Sequence, residues 1–197
     1  MGTHNQVDRD AIVDAALELF VSRGYQATTF GDIALASGVE SDLLAAAFPD
    51  HVCFIFAVAD AMFAAVFEEL AKAPQAEDLV EVLRAAHLSV VGRIVAGEGP
   101  VPLMRMYLMG RVLATNTAVA QAVSVHRKRV LTCGMADQRG VGHDDPQIVR
   151  AVMVWSAIMA CTHAAGIHDG VAPDHFATDL TERRLDRNCN LVRRGWP

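Results

Sequence analysis

Residues 28–51, TTFGDIALASGVESDLLAAAFPDH, constrain the fold of this chain more than any other stretch. Thr28 or Thr29 can cap a short helix, because a hydroxyl oxygen accepts a hydrogen bond from a free backbone N–H at the helix start. Gly38 follows a serine and predicts a tight turn. A third helix then opens and turns Leu44 inward before a proline ends it. Two short helices joined by a glycine turn are typical of a helix-turn-helix domain.

The residues before this stretch predict the first helix of a three-helix unit. Asp8 is a good N-cap, and Gly24 is placed to end the helix as a glycine after the C-cap does. Between them, apolar residues recur at i, i+4, i+7 and i+8 and form one helical stripe: Ile12, Ala16, Leu19 and Phe20. We therefore predict a three-helix domain at residues 1–50 and a larger domain at 51–197.

The larger domain also predicts helices. Apolar residues make up 52% of the chain while aromatic residues make up 6%, so Ala, Val, Leu and Met supply most of the apolar mass and favour helices over strands. Caps and breakers predict helices at 50–72, 76–96, 102–116, 117–135, 145–167 and 174–191, with a polar loop at 137–145. The expected fold class is all-α, with about nine helices.

Several classes of protein are disfavoured by the sequence. The longest apolar runs fall short of the roughly 20 residues that a membrane span needs, and the N-terminus lacks the basic and apolar regions of a secretory signal. The four cysteines are widely spaced without a CxxC pair, which suits reduced thiols in the cytosol better than disulfides or a zinc site. We expect a cytoplasmic protein without a metal or other cofactor.

Catalytic motifs are also missing from the sequence. There is no GxSxG, HExxH or phosphate-binding glycine loop, so we do not expect an enzyme. A buried histidine or aspartate in a helical cavity can act without a motif, and that alternative stays open. The run His126-Arg127-Lys128-Arg129 is interpreted as part of a solvated helix face.

The N-terminal pattern resembles the tetracycline-repressor (TetR) family of bacterial regulators. About forty residues carry the resemblance, at Ala15, Ala16, Leu19, Phe20, Gly24, Thr28, Thr29, Ile33, Ala34, Gly38, Val39, Leu44 and Phe48. It implies that the third helix enters the major groove and that a homodimer reads a palindromic operator. A ligand in the larger domain would then change the spacing of the two reading heads. The resemblance thus implies a ligand-responsive transcriptional regulator, most often a repressor.

The surface that would read DNA departs from the family pattern. Glu40 and Asp42 stand at the start of the third helix, and no Arg, Lys, Asn or Gln occurs in residues 28–51. Those side chains supply most phosphate contacts and groove reading. The candidate DNA contacts that remain are Thr28, Thr29, Ser41 and His51.

The charge of this domain leaves two functions open. The first 52 residues contain two arginines against eight acidic residues, a net charge of −6 that equals the charge of the whole chain. One function is operator binding by a homodimeric regulator. The other is a TetR-fold protein that has lost operator binding and binds or transforms a small molecule, or acts through a protein partner.

The larger domain contains candidates for a ligand pocket. Methionines adapt to apolar ligands, and polar groups inside apolar runs need a partner or a ligand when they are buried. Asp60 and His87 are such groups. The pocket residues we predict are Tyr107, Arg111, Trp155, Met159 and His163. The expected ligand is small and apolar or amphipathic.

The last two long helices are the usual dimerisation pair in the family. The first of them carries small and apolar residues suited to helix packing. We predict a homodimer interface that includes Ala151, Val154, Ile158 and Thr162. Filling of the monomer core is the alternative for the same residues.

Overall fold

A computed structural model gives the fold of the chain and describes residues 8–72, 78–168 and 178–195, of which 163–168, 178–180 and 191–195 are described for the backbone alone. Within these ranges there are nine α-helices and no β-strand, which confirms the predicted fold class. The helices are α1 (Arg9–Ser22), α2 (Phe30–Ser37), α3 (Ser41–Ala47), α4 (Val52–Lys72), α5 (Leu79–Val95), α6 (Leu103–Thr115), α7 (Thr117–Arg139), α8 (Pro146–His168) and α9 (Thr178–Gly195).

The first two helices have the boundaries that their capping residues predict. Asp8 accepts hydrogen bonds from two backbone N–H groups at the start of α1. Thr29 forms a reciprocal capping box with Asp32 at the start of α2. Gly24 and Gly38 follow α1 and α2 with φ of 98° and 68°, a left-handed region that glycine enters without steric cost. Local chemistry therefore sets this part of the chain.

The later helices differ from the prediction at their ends. Helix α5 begins at Leu79 rather than 76, because the Asp78 side chain accepts from two N–H groups there. Helix α7 continues through part of the predicted loop to Arg139 and ends at Gly140, which has φ of 67°. The Gln138 side chain donates to the Phe67 backbone oxygen at 3.0 Å and ties this extra turn to α4. The predicted start of the last helix, at 174, lies outside the described residues.

The apolar core has two parts that share α5 and α7. The first contains α1–α4 and α6 and runs without a break past residue 50, where fully buried Phe48 and Phe54 stack with centroids 4.3 Å apart. The second contains α8 and α9. Helices α4 and α7 pack closely because Gly134 has no side chain, and a Cβ there would overlap the Phe67 ring.

A buried arginine joins α6 to α1. The Arg105 side chain is 7% exposed, and its Nε and Nη2 donate to the two carboxylate oxygens of Asp14 at 2.6 and 2.8 Å. Its Nη1 donates to Asp10 at 2.9 Å. The hydrogen bond to Asp14, followed by the charges of the two carboxylates, raises the pKa of Arg105 despite its burial. This ion pair links the first helix to the larger part of the molecule.

No single helix in the described ranges is long and apolar enough to cross a membrane. Helices α3 and α4 taken together have the length and the apolar composition of a membrane span, but they are bent by 50° relative to each other.

We predict that removing the acidic partner of Arg105 destabilises the protein more than removing Arg105 itself. Asp14→Ala leaves a buried guanidinium short of its main partner, which we expect to cost about 3 kcal/mol of unfolding free energy. Arg105→Met should cost less, because the side chains of Asp10 and Asp14 are 77% and 45% exposed and water can solvate them. Urea denaturation of both variants measures the difference.

The control is Arg23→Met, which removes an exposed ion pair with Asp32 and should change stability little. A larger loss for Arg105→Met than for Asp14→Ala would contradict this account of the pair.

Candidate functional site

The third helix presents a short face of acidic and small side chains. Ser41, Asp42, Ala45 and Ala46 are exposed, and Leu43 is 50% exposed, while Leu44 on the opposite side is fully buried. The face that a helix-turn-helix would insert into a groove thus has no cationic or amide side chain. Ser41 is its only hydroxyl.

The two threonines predicted to contact phosphate are engaged within the protein. Thr28 is 1% exposed, and its hydroxyl donates to the Gly24 backbone oxygen at 2.9 Å. Thr29 is exposed, but its hydroxyl lies 2.6 Å from an Asp32 carboxylate oxygen and accepts from the Asp32 N–H. Ser41 is therefore the freest of the three predicted hydroxyl contacts.

His51 lies in an aromatic cluster beneath this surface. Its ring stacks on Phe30 at 4.6 Å between centroids and meets the edges of Phe20 and Tyr25 at 5.7 and 5.9 Å. The His51 Nε2 is buried and has no hydrogen-bond partner. Burial, together with the charge of Asp50, raises the pKa of Tyr25 to about 12. The imidazole therefore packs inside the unit instead of extending toward a phosphate.

The acidic residues of the N-terminal unit have different roles. Asp10 and Asp14 bind Arg105, and Asp32 binds Arg23 at 2.9 Å. The sequence count could not see these pairs, since Arg105 lies about ninety residues away. Five acidic residues remain exposed with no cationic partner in the described part of the chain: Asp8, Glu18, Glu40, Asp42 and Asp50. The net charge of the solvent-facing surface is thus less negative than −6, but that surface is still acidic.

An apolar cavity of about 160 Å³ lies between the two parts of the core. Six helices, α4–α9, contribute to its wall. The lining residues are Ala59, Met62, Phe63, Val66, His87, Val91, Met106, Met109, Gly110, Leu113, Ala114, Val123, Arg127, Leu131, Trp155, Met159, Thr162, Thr181 and Arg184. An apolar cavity of roughly 150 Å³ is enough to bind benzene, so this one can hold a small organic molecule.

The predicted pocket residues divide between the cavity and its surroundings. Trp155 and Met159 line the cavity. Tyr107 and Arg111 are not among its described lining residues; instead the Arg111 guanidinium donates to the Tyr107 hydroxyl at 3.1 Å along α6. The side chain of His163 lies outside the described residues.

Two polar residues of the cavity, Arg127 and His87, were not among the predicted pocket residues. Arg127 is 5% exposed rather than solvated, because it occupies an inward position of α7. The sequence contains a signal for this: Val119, Val123, Arg127, Leu131 and Met135 recur at intervals of four and are all buried. An arginine within such a row is placed to face the core.

The electrostatics of the cavity are cationic at neutral pH. Burial lowers the pKa of Arg127 to about 10, so its guanidinium stays charged. Burial and then the charge of Arg127 lower the pKa of His87 to about 4, so this imidazole is neutral. The His87 ring meets the Trp155 ring edge-on at 5.5 Å between centroids. A second cation, Arg184, also lines the wall, and the described lining contains no carboxylate.

The predicted dimer residues of α8 face mainly inward. Ala151 and Ile158 are buried, and Val154 is half-buried against the second part of the core. Thr162 lines the cavity and accepts a hydrogen bond from the Asn188 side chain at 2.9 Å. The exposed face of α8 includes a neighbouring row of apolar residues beside the exposed Arg150; the row is Val149, Met153, Ala157, Ala160 and Cys161.

Comparisons with known proteins identify the N-terminal unit and the fold. Residues 12–50 match the family model for bacterial regulatory proteins of the tetR family. A search of curated protein sequences found no match.

Solved structures of TetR-family proteins are similar over nearly the whole chain. FadR of Thermus thermophilus, a transcriptional repressor solved with lauroyl-CoA, is 21% identical, with a TM-score of 0.51 and coverage of 96% of this chain and 95% of that one. SmeT, the repressor of a Stenotrophomonas maltophilia multidrug efflux pump, is 16% identical, with a TM-score of 0.54 and coverage of 96% and 90%. A TetR-like regulator from Rhodococcus sp. RHA1 is 18% identical, with a TM-score of 0.50 and coverage of 98% of both chains.

At these identities the likeness to solved structures concerns the fold, while the match at 12–50 concerns the sequence as well. The chain therefore has the fold of the TetR-family transcriptional regulators, and its residues 12–50, which fold as a helix-turn-helix, match the model of that family.

Proposed function

We propose that this protein is a ligand-responsive transcriptional regulator, a repressor in the cytoplasm, that binds DNA as a homodimer and is not an enzyme. Residues 1–50 would form the DNA-binding domain, and 51–197 the domain for ligand binding and dimerisation. The observation that carries the proposal is that two of the helices lining the cavity, α4 and α6, also pack against the helix-turn-helix unit.

Two helices connect the cavity to the helix-turn-helix unit. Helix α4 follows α3 directly, packs on the unit through Phe54 and lines the cavity through Met62 and Phe63. Helix α6 lines the cavity through Met106 and Met109 and binds α1 through the neighbouring Arg105. A ligand that displaces either helix would therefore change the position of the DNA-binding domain, which is the differential contact that a ligand switch needs.

The wall of the cavity supports a small ligand that is apolar or amphipathic. Aliphatic, aromatic and methionine side chains form most of it, and the polar groups are few. The structure of Thermus thermophilus FadR contains lauroyl-CoA, which combines a long apolar chain with a polar head. A ligand of mixed character fits the composition of this wall.

The exposed apolar row of α8 supports the homodimer. Met153 is 55% exposed and Val149 is 38% exposed, and the row continues through Ala157 and Ala160. Small and flexible side chains at this spacing let two helices approach closely and interdigitate. We place the dimer contact on this row, next to the residues predicted from the sequence.

A second function is favoured by the acidic surface of α3. Because Glu40, Asp42 and Asp50 are exposed and Arg23 is paired with Asp32, the unit has little to offer a phosphate. On this alternative the protein keeps the fold, has lost operator binding, and binds or transforms a small molecule or acts on a protein partner.

Operator binding is tested by genomic fragment selection followed by gel shift. We expect a palindromic fragment to be retained at low salt, with a weak salt dependence because few phosphates are contacted. Leu43→Asp adds a third acid to the α3 face and should weaken binding at least tenfold, about 1.4 kcal/mol. The matched control is Val125→Asp on α7, since Val125 is 57% exposed and Leu43 is 50% exposed.

The alternative predicts different results in the same assay. No fragment would be retained even at low salt, and Glu40→Lys with Asp42→Lys would create non-specific DNA binding where the native chain has none. That pair of results would overturn the regulator.

The dimer contact is tested by light scattering coupled to size exclusion. Met153→Glu with Ala157→Glu should convert a dimer to a monomer, because like charges without a cationic partner would be buried against an apolar row. Met104→Glu on α6 is the matched control, since Met104 is 54% exposed. A native chain that is monomeric at high concentration, or a doubly substituted chain that stays dimeric, would rule out this interface.

A further inference from the structure

We propose that the cavity binds organic acids, molecules with an apolar body of about the size of one ring or a short chain and a single carboxylate that pairs with Arg127. This inference rests on the ligand-binding role proposed for the cavity and names the chemical class of its ligand. It is carried by an arginine that is buried in the wall without a carboxylate partner.

The hydrogen bonds of Arg127 leave part of its guanidinium unsatisfied. Its Nη2 donates to the Ser156 backbone oxygen at 3.3 Å and lies 3.5 Å from the Ser124 hydroxyl. Its Nε is buried without a hydrogen-bond partner. No ion pair involves Arg127 within the residues that the structure describes. The charged guanidinium of Arg127 thus has only two long hydrogen bonds within the described residues, both to uncharged oxygen atoms.

Such an arrangement costs free energy of folding. A buried charge needs an opposite charge and hydrogen bonds to offset its desolvation, and a lone buried guanidinium has neither in full. The contrast with Arg105 is direct, because that buried arginine has two carboxylates of its own chain within 3 Å. At Arg127, a carboxylate brought by a ligand would complete the same chemistry.

The rest of the wall selects against other kinds of head group. The described lining has no Asp or Glu that would hold an ammonium group. Thr162 and Thr181 add hydroxyl groups to the wall, and His87 is neutral at pH 7, so Arg127 supplies the positive charge. The polar side of the cavity is therefore cationic, and its apolar side is formed by residues such as Met106 and Leu113. An apolar monoanion matches both sides.

Binding is measured on the full chain without DNA, using probe pairs that share a body and differ in charge. The pairs are phenylacetate with phenylacetamide and octanoate with octanamide, and phenethylamine provides the opposite charge. The readout is tryptophan fluorescence in a Trp196→Phe background, where Trp155 on the cavity wall is the remaining tryptophan. We expect each acid to bind at least tenfold more tightly than its amide.

The variant Arg127→Met separates an anchoring role from a structural one. Methionine fills the site without a charge, so the chain should fold and the neutral amides should bind as before or better. The preference for acids should fall to less than threefold. Arg111→Met, which removes an arginine outside the cavity wall, should leave the preference intact. If Arg127→Met only lowers the melting temperature and keeps the full preference, the anchor is refuted.

The native chain gives a second readout that needs no substitution at Arg127. The charge of Arg127 is one of the two causes that lower the pKa of His87 to about 4. A carboxylate paired with Arg127 would offset that charge, so the pKa of His87 should rise when an acid binds and stay near 4 with the matching amide. Two-dimensional NMR of the His87 ring follows this titration, and an unchanged pKa with bound acid would contradict the proposal.

The possible results separate this inference from the proposed function. If the chain binds acids selectively but retains no DNA fragment, the inference is supported and the proposed function as a transcriptional regulator is rejected. Amides or amines that bind as well as acids, or the absence of binding by any acid at millimolar concentration, would overturn the inference and leave DNA binding to its own assay.

Discussion

The ion pair between Arg105 and the carboxylates of Asp10 and Asp14 is the contact on which the connection between the two ends of the molecule depends. Apolar packing between α1 and α6 can slide, whereas a bidentate guanidinium fixes one register. The Arg105 side chain is buried, so moving α6 away from α1 would leave its charge without a carboxylate partner in a site that water reaches poorly. We therefore expect α1 to move together with α6, and the rest of the helix-turn-helix domain to move together with α1.

The two arginines that are buried in the described part of the chain, Arg105 and Arg127, differ in the acceptors that surround them. Arg105 is neutralised by its own chain and has a structural role. Arg127 lies on the wall of a cavity with backbone and hydroxyl acceptors alone, and the cost of its burial is only partly offset. Both helices that join the cavity to the helix-turn-helix domain, α4 and α6, pass close to that wall. A charge brought into the cavity would thus act on the elements that position the first three helices.

Parts of the structure that follow from local chemistry could be predicted from the sequence. Asp8, Thr29 and Gly38 act within four residues of themselves, so their caps and turns are legible in the sequence alone. The end of α7 was misplaced by four residues, because the tie from Gln138 to the Phe67 oxygen on α4 crosses about seventy positions. The cavity depends on how six helices pack, and no local pattern places Tyr107 and Arg111 away from its wall. The burial of Arg127 could have been predicted, because apolar residues at intervals of four on either side of it indicate an inward position.

The charge of the helix-turn-helix domain shows why its fold is easier to read than its function. Its acidic residues count equally in the sequence, but in the structure Asp10, Asp14 and Asp32 are paired while Glu40 and Asp42 face solvent. Its two arginines are engaged as well, one over the Phe48 ring at 4.6 Å and the other with Asp32. The buried side of α3 is fixed by packing, which tolerates few changes. The exposed side takes no part in that packing, so a chain can preserve the fold of this domain while its outer face diverges.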